Sequence, residues 1–177
     1  MIDQFLILLI TAVAASFAAL TAWRSAKQNA KNIQAQIFLQ INTEYASPEM
    51  HTCIKKVRAY KKDLGIIFPS YFKEGKGCNT VVYDEVNDSR RIISHFYYKI
   101  AMLRKENIIS VSFFKLLVPD EQVELLLEII ERLDEAINPD YGKTPYDLYR
   151  MHHPKVNEKW SRNYILEEAM RESKNRQ

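Results

Sequence analysis

The sequence predicts an all-α protein: one N-terminal transmembrane helix continuing into a small cytosolic helical bundle. Three observations carry that expectation. The run from Phe5 to Trp23, FLILLITAVAASFAALTAW, holds no charged residue. Only 4 glycines and 6 prolines interrupt 177 residues, so little in the chain breaks a helix. Beyond the opening run, apolar residues recur three and four apart, which is the helical period.

Phe5 to Trp23 would extend roughly 28 Å as a helix, about the thickness of a bilayer's hydrocarbon core. Phe5, Leu9, Val13, Phe17, Leu20 and Trp23 mark this membrane span. A signal peptide cut near Ala15 is the competing reading. Against it, only Asp3 precedes the run, where a signal peptide carries positive charge, and the first cation is Arg24. Trp23 followed by Arg24, Lys27 and Lys31 reads as an interfacial anchor whose basic groups meet acidic headgroups. No acid follows Trp23 before Glu44, so the positive-inside rule puts the N-terminus outside and the remainder in the cytoplasm. Ala14, Ala18 and Ala22 recur on one line of the span. Such a small-residue face suits a homo-oligomer, although alanine is also simply tolerated in lipid.

The chain divides into an anchor over 1–23, a basic juxtamembrane helical linker over 24–36, a cytosolic helical domain over 37–154, and a polar C-terminal helix or tail over 155–177. Only Cys53 and Cys78 are present, in unrelated contexts. They give no disulfide framework and no zinc spacing, which fits a reducing compartment. Net charge is +3 and the pI about 8.7. Much of that basicity adjoins the span, so it points to a lipid surface more than to nucleic acid.

Ile33, Ile37, Ile41 and Tyr45 form an i, i+4 stripe that predicts a helix docking onto the domain. Ile37, Phe38, Leu39 and Ile41 are too apolar for the alternative of leaving them uncovered. Ser47-Pro48-Glu49 starts the next helix, with Ser as cap, Pro in the first turn and an acid beside the helix N-terminus. Met50, Ile54, Val57 and Leu64 face inward along it, and it ends near Gly65. Its basic face, with Lys55, Lys56, Arg58 and Lys62, is a candidate binding surface together with Tyr71, Lys73 and Lys76 of the following stretch. The simpler view is a solvated lysine-rich face.

Residues 66–83, holding Pro69, Gly75 and Gly77, read as an ordered loop strapped over the core by Phe68, Tyr71, Phe72 and Tyr83. Gly75-Lys76-Gly77 is no phosphate loop, because Cys78 stands where a Walker motif continues. A helix capped by Asp84 or Asn87 runs to about Asn107, burying Ile92, Phe96, Ile100 and Leu103, widened by Ile93 and Tyr97. Ser110 caps a short helix through Leu117. Pro119-Asp120-Glu121 opens a longer one with Val123, Leu126, Leu127, Ile130, Leu133 and Ile137 inward. Glu124, Glu128, Glu131 and Glu135 lie on its other face, solvated or paired with the basic helix. Asn138 to Gly142 is a turn by composition, and Thr144-Pro145 starts a short helix ended by Pro154. Glu158–Arg162, Glu167–Arg171 and Glu172–Arg176 then support a polar helix, with Trp160, Tyr164 and Ile165 available to dock it.

AWRSAK, QIFLQINTEYASPEMH, RRIISHFYYKIAMLRKENII and ELLLEIIERLDEAINPDYGKTPYDLYRM follow the single span in that order. In this layout the chain resembles a set of bacterial single-span proteins that share an uncharacterised cytosolic helical domain. The resemblance covers about 24–151. It implies a bacterial origin, the inner (cytoplasmic) membrane and the all-α architecture. It transfers no catalytic residues.

One motif points to chemistry. Helical ribonucleases of the HEPN class place an Arg and a His four to six residues apart, and Arg90 and His95 meet that spacing. There the His moves protons at ribose oxygens and the Arg steadies phosphate charge, without metal. Arg91, however, occupies a position where that motif has Asn, Asp or His. His95 also falls between Ile92 and Phe96, so a buried, hydrogen-bonded histidine is the simpler reading. His152-His153 point to different helix faces with no carboxylate at ligand spacing, and no other nucleophile, zinc or dinucleotide motif is present. The sequence therefore predicts a non-catalytic, membrane-anchored interaction module, with no cofactor and an unidentified cytosolic protein partner. A metal-independent nuclease on Arg90 and His95 is the alternative.

Overall fold

The computed structural model describes residues 2–65, 68–74, 80–141 and 143–159. Contacts divide the chain into two compact units, Met1–Ile41 and Asn42–Gln177, a boundary later than the expected end of the linker at residue 36. Cys78, Lys76, and Trp160 with the rest of the tail lie outside the described residues. The first unit is the run of helix α1 (Ile2–Tyr45) up to Ile41. Among the described residues one helix is long and apolar enough to cross a membrane, Leu8–Tyr45, and none of its most apolar window is buried. Leu9, Val13, Phe17, Leu20 and Trp23 are exposed, as are Arg24, Lys27 and Lys31. The Lys27 Nζ lies 5.3 Å from the centroid of the Trp23 ring. Ile33 and Leu39 are also exposed.

The second unit is built around α4 (Thr80–Lys105), with α2 (Pro48–Leu64) packed along it. Ser47 caps α2 as the sequence predicts, its Oγ accepting from the Met50 N–H at 3.1 Å. Met50, Cys53, Ile54, Val57 and Tyr60 are the buried face. Gly65 ends the helix at φ 59°, a left-handed conformation that favours glycine, and its N–H donates to the Lys61 carbonyl.

Where the expected loop over 66–83 is described, at 68–74 and 80–83, it is helical. α3 (Phe68–Glu74) places Pro69 in its first turn, where a missing N–H costs no hydrogen bond. Phe68 and Phe72, four apart, are buried and meet the Tyr60 ring at 6.5 and 6.1 Å. Phe72 also meets Tyr83 at 4.9 Å, which helps to hold the first turn of α4. α4 accordingly starts at Thr80 and not at Asp84 or Asn87. Its core face holds four of the six expected residues and is shifted toward Ile93 and Tyr97. Ile93, Phe96, Tyr97, Ile100 and Ala101 are buried, whereas Ile92 is exposed and Leu103 half-buried. Asn107, at φ 57°, ends the helix, and the Ile108 and Ile109 N–H groups turn back to the Leu103 carbonyl.

Ser110 caps α5 (Val111–Leu117) through the Phe113 N–H at 3.2 Å. The acidic helix is not one uniform α-helix. α6 (Asp120–Leu125) passes into a π-turn, Leu126–Ile130, and then into α7 (Glu131–Ile137). The Glu131 N–H donates to the Leu126 carbonyl five residues back. That extra residue rotates everything after it. Ile137, expected in the core, is exposed, and Asp134 takes an inward place at 1% exposure. Glu128 and Glu131, expected to be solvated or paired with the basic helix, are buried too. Both are ion-paired, Glu128 to Lys61 of α2 and Glu131 to Arg150 of α8 (Lys143–His152). α9 (Pro154–Lys159) closes the described chain.

Candidate functional site

α4 carries two parallel stripes at i, i+4, i+7. Arg90, Ser94 and Tyr97 form one, and Arg91, His95 and Tyr98 form the other. The first stripe is sealed. Arg90 pairs with Oδ1 of Asp134 on α7, and its remaining donors reach the Asn87 Oδ1 at 3.0 and 3.1 Å. The other Asp134 oxygen accepts from Ser94 Oγ at 2.8 Å and from the Tyr146 hydroxyl of α8. Asp134 is thus buried with three donors and one compensating charge, the condition for a buried carboxylate to persist. Burial, and then the Asp134 charge, push the Tyr146 phenol far above its ordinary range. The Tyr149 hydroxyl donates to the Tyr97 carbonyl at 2.7 Å, and the two rings meet edge to face at 5.8 Å.

The second stripe is open. Arg91, His95 and Tyr98 are exposed, and the Arg91 and His95 side chains make no ion pair or hydrogen bond among the described residues. The expectation of a buried histidine is overturned, because the core face is centred on Ile93 and Tyr97 and leaves residue 95 on the opposite side of the helix. Ser94, His95, Tyr98, Leu126, Tyr141 and Tyr146 wall a cavity of about 340 Å³. A second hollow of about 110 Å³, reached by Arg90, Arg91 and Asp134, shares Ser94, His95 and Tyr141 with it. A third, broader groove, which Arg91, His95 and Tyr98 also line, carries Glu44, Glu49, Asp88 and Glu106.

The Arg90–His95 pair therefore separates. His95 is available to a ligand, whereas Arg90 is committed to Asp134. Of the predicted basic surface, Lys55, Arg58 and Lys62 are exposed, and Lys56 pairs with Glu85 at 2.9 Å. The side chains of Tyr71 and Lys73, and Lys76 altogether, lie outside the description. Both histidines of the 152–153 pair are buried. Arg104 donates to the His152 Nε2 at 3.3 Å, and the His153 Nδ1 lies 2.9 Å from Asp120. Among the described residues no group of three or more His, Cys, Asp or Glu is placed to hold a metal ion.

Sequence reasoning missed Ser94, Tyr98, Tyr141 and Tyr146. The i, i+4, i+7 run from Arg91 was visible, but nothing local said that a turn tyrosine from 138–142 and one from α8 would face it. No family model matches the chain, and no curated protein or solved structure matches it.

Proposed function

We propose that this chain is a single-pass protein of the inner (cytoplasmic) membrane. Its helical domain, on the cytoplasmic side, works as a non-catalytic interaction or regulatory module, a sensor or effector component. The observation that carries this reading is the uncovered apolar helix. Leu8, Leu9, Ile10, Val13, Phe17, Leu20 and Trp23 are all exposed on consecutive turns. Leaving each such side chain in water forfeits about 1.5–3 kcal/mol, a cost that lipid removes. Arg24, Lys27 and Lys31 then stand where acidic headgroups lie. Confinement to a surface raises the domain's effective concentration against a cytosolic protein partner. The exposed line of Ala14, Ala18 and Ala22 supports a homo-oligomer packed along the span.

The test is alkaline extraction of membranes followed by protease protection of the full chain. Retention in the membrane, with the C-terminal domain digested only from the cytoplasmic side, is the expected result. Release of the protein without detergent overturns the reading. Crosslinking in membranes tests the oligomer, and monomer alone would remove it.

A second reading is a metal-independent ribonuclease using Arg90 and His95. The exposure of His95 favours it, and the commitment of Arg90 to Asp134 weighs against it. RNA cleavage by the purified chain, lost in a His95→Ala variant of unchanged melting temperature, would establish it. No cleavage by the parent chain eliminates it.

A further inference from the structure

The 340 Å³ cavity has the dimensions of a small-molecule site, at the lower end of about 300–1,000 Å³, and is too small for a folded partner. Its walls are mainly aromatic. Tyr98 and Tyr141 keep 50% and 49% exposure although both line it, so flat apolar faces stand open to water beside a hollow. Their hydroxyls make no hydrogen bond among the described residues. Faces of this kind gain most from a planar ring, which stacks on them and accepts a hydrogen bond at its edge.

Charge selects among planar ligands. The acid lining the smaller hollow is Asp134, already matched by Arg90, Ser94 and Tyr146. Arg91 and His95 line that same hollow without partners. Arg91, His95 and Tyr98 also line the neighbouring groove, whose acids Glu44, Glu49, Asp88 and Glu106 line neither cavity, and Glu44 there is paired with Lys99. Within the two cavities a cationic ligand would meet no acid but the matched Asp134, and an anionic appendage would meet a guanidinium and an imidazole that have no partner among the described residues.

We propose that this cavity and the smaller hollow that shares Ser94, His95 and Tyr141 with it together bind a free mononucleotide, its base stacked at Tyr98 and Tyr141 in the first and its phosphate held by Arg91 and His95 in the second. Ser94 and Tyr146, fixed by Asp134, form the rigid floor. Arg91 and His95 are one helical turn apart on one rigid element, so they converge on a single phosphate without rearranging. The proposal rests on the pocket alone and does not require the membrane anchor.

Calorimetric titration of the detergent-solubilised full chain tests it, with AMP, GMP, CMP and UMP, their nucleosides, trimethylammonium and a 5′-phosphorylated RNA oligomer as probes. At least one nucleotide should bind with a Kd below about 1 mM, and more tightly than its nucleoside. Arg91→Ala should weaken that nucleotide about tenfold while leaving the nucleoside within roughly twofold, and Arg91→Lys should restore part of the loss. Tyr141→Ala should weaken nucleotide and nucleoside alike, by about tenfold. Both positions are exposed, so unchanged melting temperatures will show that the variants fold. The proposal is overturned if no nucleotide binds, if nucleotide and nucleoside respond equally to Arg91→Ala, or if trimethylammonium binds instead. An oligomer that binds more tightly than its terminal nucleotide would overturn it in favour of an RNA end.

Discussion

Two adjacent stripes of α4 begin with the same residue type and end with opposite fates. Arg90 is buried and held by Asp134 and Asn87, whereas Arg91, one position on, is exposed and has no partner among the described residues. Ser94 and His95 repeat the contrast, and so do Tyr97 and Tyr98. Intrinsic propensity cannot separate neighbours on one helix. What separates them is which side α7 and α8 come to lie on, bringing one carboxylate and two tyrosines. Chemistry that could serve a ligand is spent on structure along the first stripe and left available along the second.

The largest effect should come from removing the group that closes the sealed stripe. Asp134→Ala leaves Arg90 as a buried uncompensated cation and takes the acceptor from Ser94 and Tyr146. A loss of about 3–5 kcal/mol is expected in denaturant unfolding of the second unit. A loss under about 1 kcal/mol would show that the stripe is solvated and erase the contrast. Tyr146→Phe is milder, since it removes one donor and leaves the charge pair, and should cost about 1–2 kcal/mol.

A smaller effect distinguishes a sealed histidine from the open one. His152 is buried beside Arg104 and packs on Phe114 at 5.3 Å. Burial, then the positive charges of Arg104, His153 and Lys115, lower its pKa below the ordinary 6.5. The unfolded chain therefore takes up this proton at a higher pH than the folded one. Stability is lost as pH falls below about 6.5 and is constant again once both states are protonated. The slope cannot exceed about 1.4 kcal/mol per pH unit for one proton. Thermal melting from pH 7.5 to 5 should show the decline, and His152→Gln, which keeps an acceptor for Arg104, should flatten it. Glu128 has the opposite sign. Burial raises its carboxyl above 4.5 against the pull of Lys61, so acidification through that lower window stabilises.

The helices themselves were legible because caps and stripes are local. Ser47 and Ser110 cap where the sequence says, and Phe96 and Ile100 are buried as their spacing requires. The errors share one cause, a register that only tertiary packing sets. A π-turn at Leu126–Ile130 has no sequence signal of its own, yet it turns Ile137 out and Asp134 in. Arg90 looked like the phosphate-binding half of a catalytic pair because its true partner stands forty-four positions away. Of the two readings left open for the acids, pairing with the basic helix holds for Glu128 through Lys61, whereas Glu131 is reached by Arg150 of α8, which no local signal announced. Sequence spacing thus singled out His95 but expected it buried, and it could not show that Arg90 is paired with Asp134.

The smallest stability effect belongs to the open stripe, and it is the sharpest test of the contrast because it predicts near silence. Arg91→Ala and His95→Ala remove side chains that contact water and no partner among the described residues. Each should shift unfolding by no more than about 0.5 kcal/mol. The same truncation at Arg90 should cost several times more, because it strands the Asp134 charge. Denaturant melts of these three variants, compared directly, separate position from residue type. If Arg91→Ala proves as costly as Arg90→Ala, the outer stripe is also part of the scaffold and has no side chain to spare for a ligand.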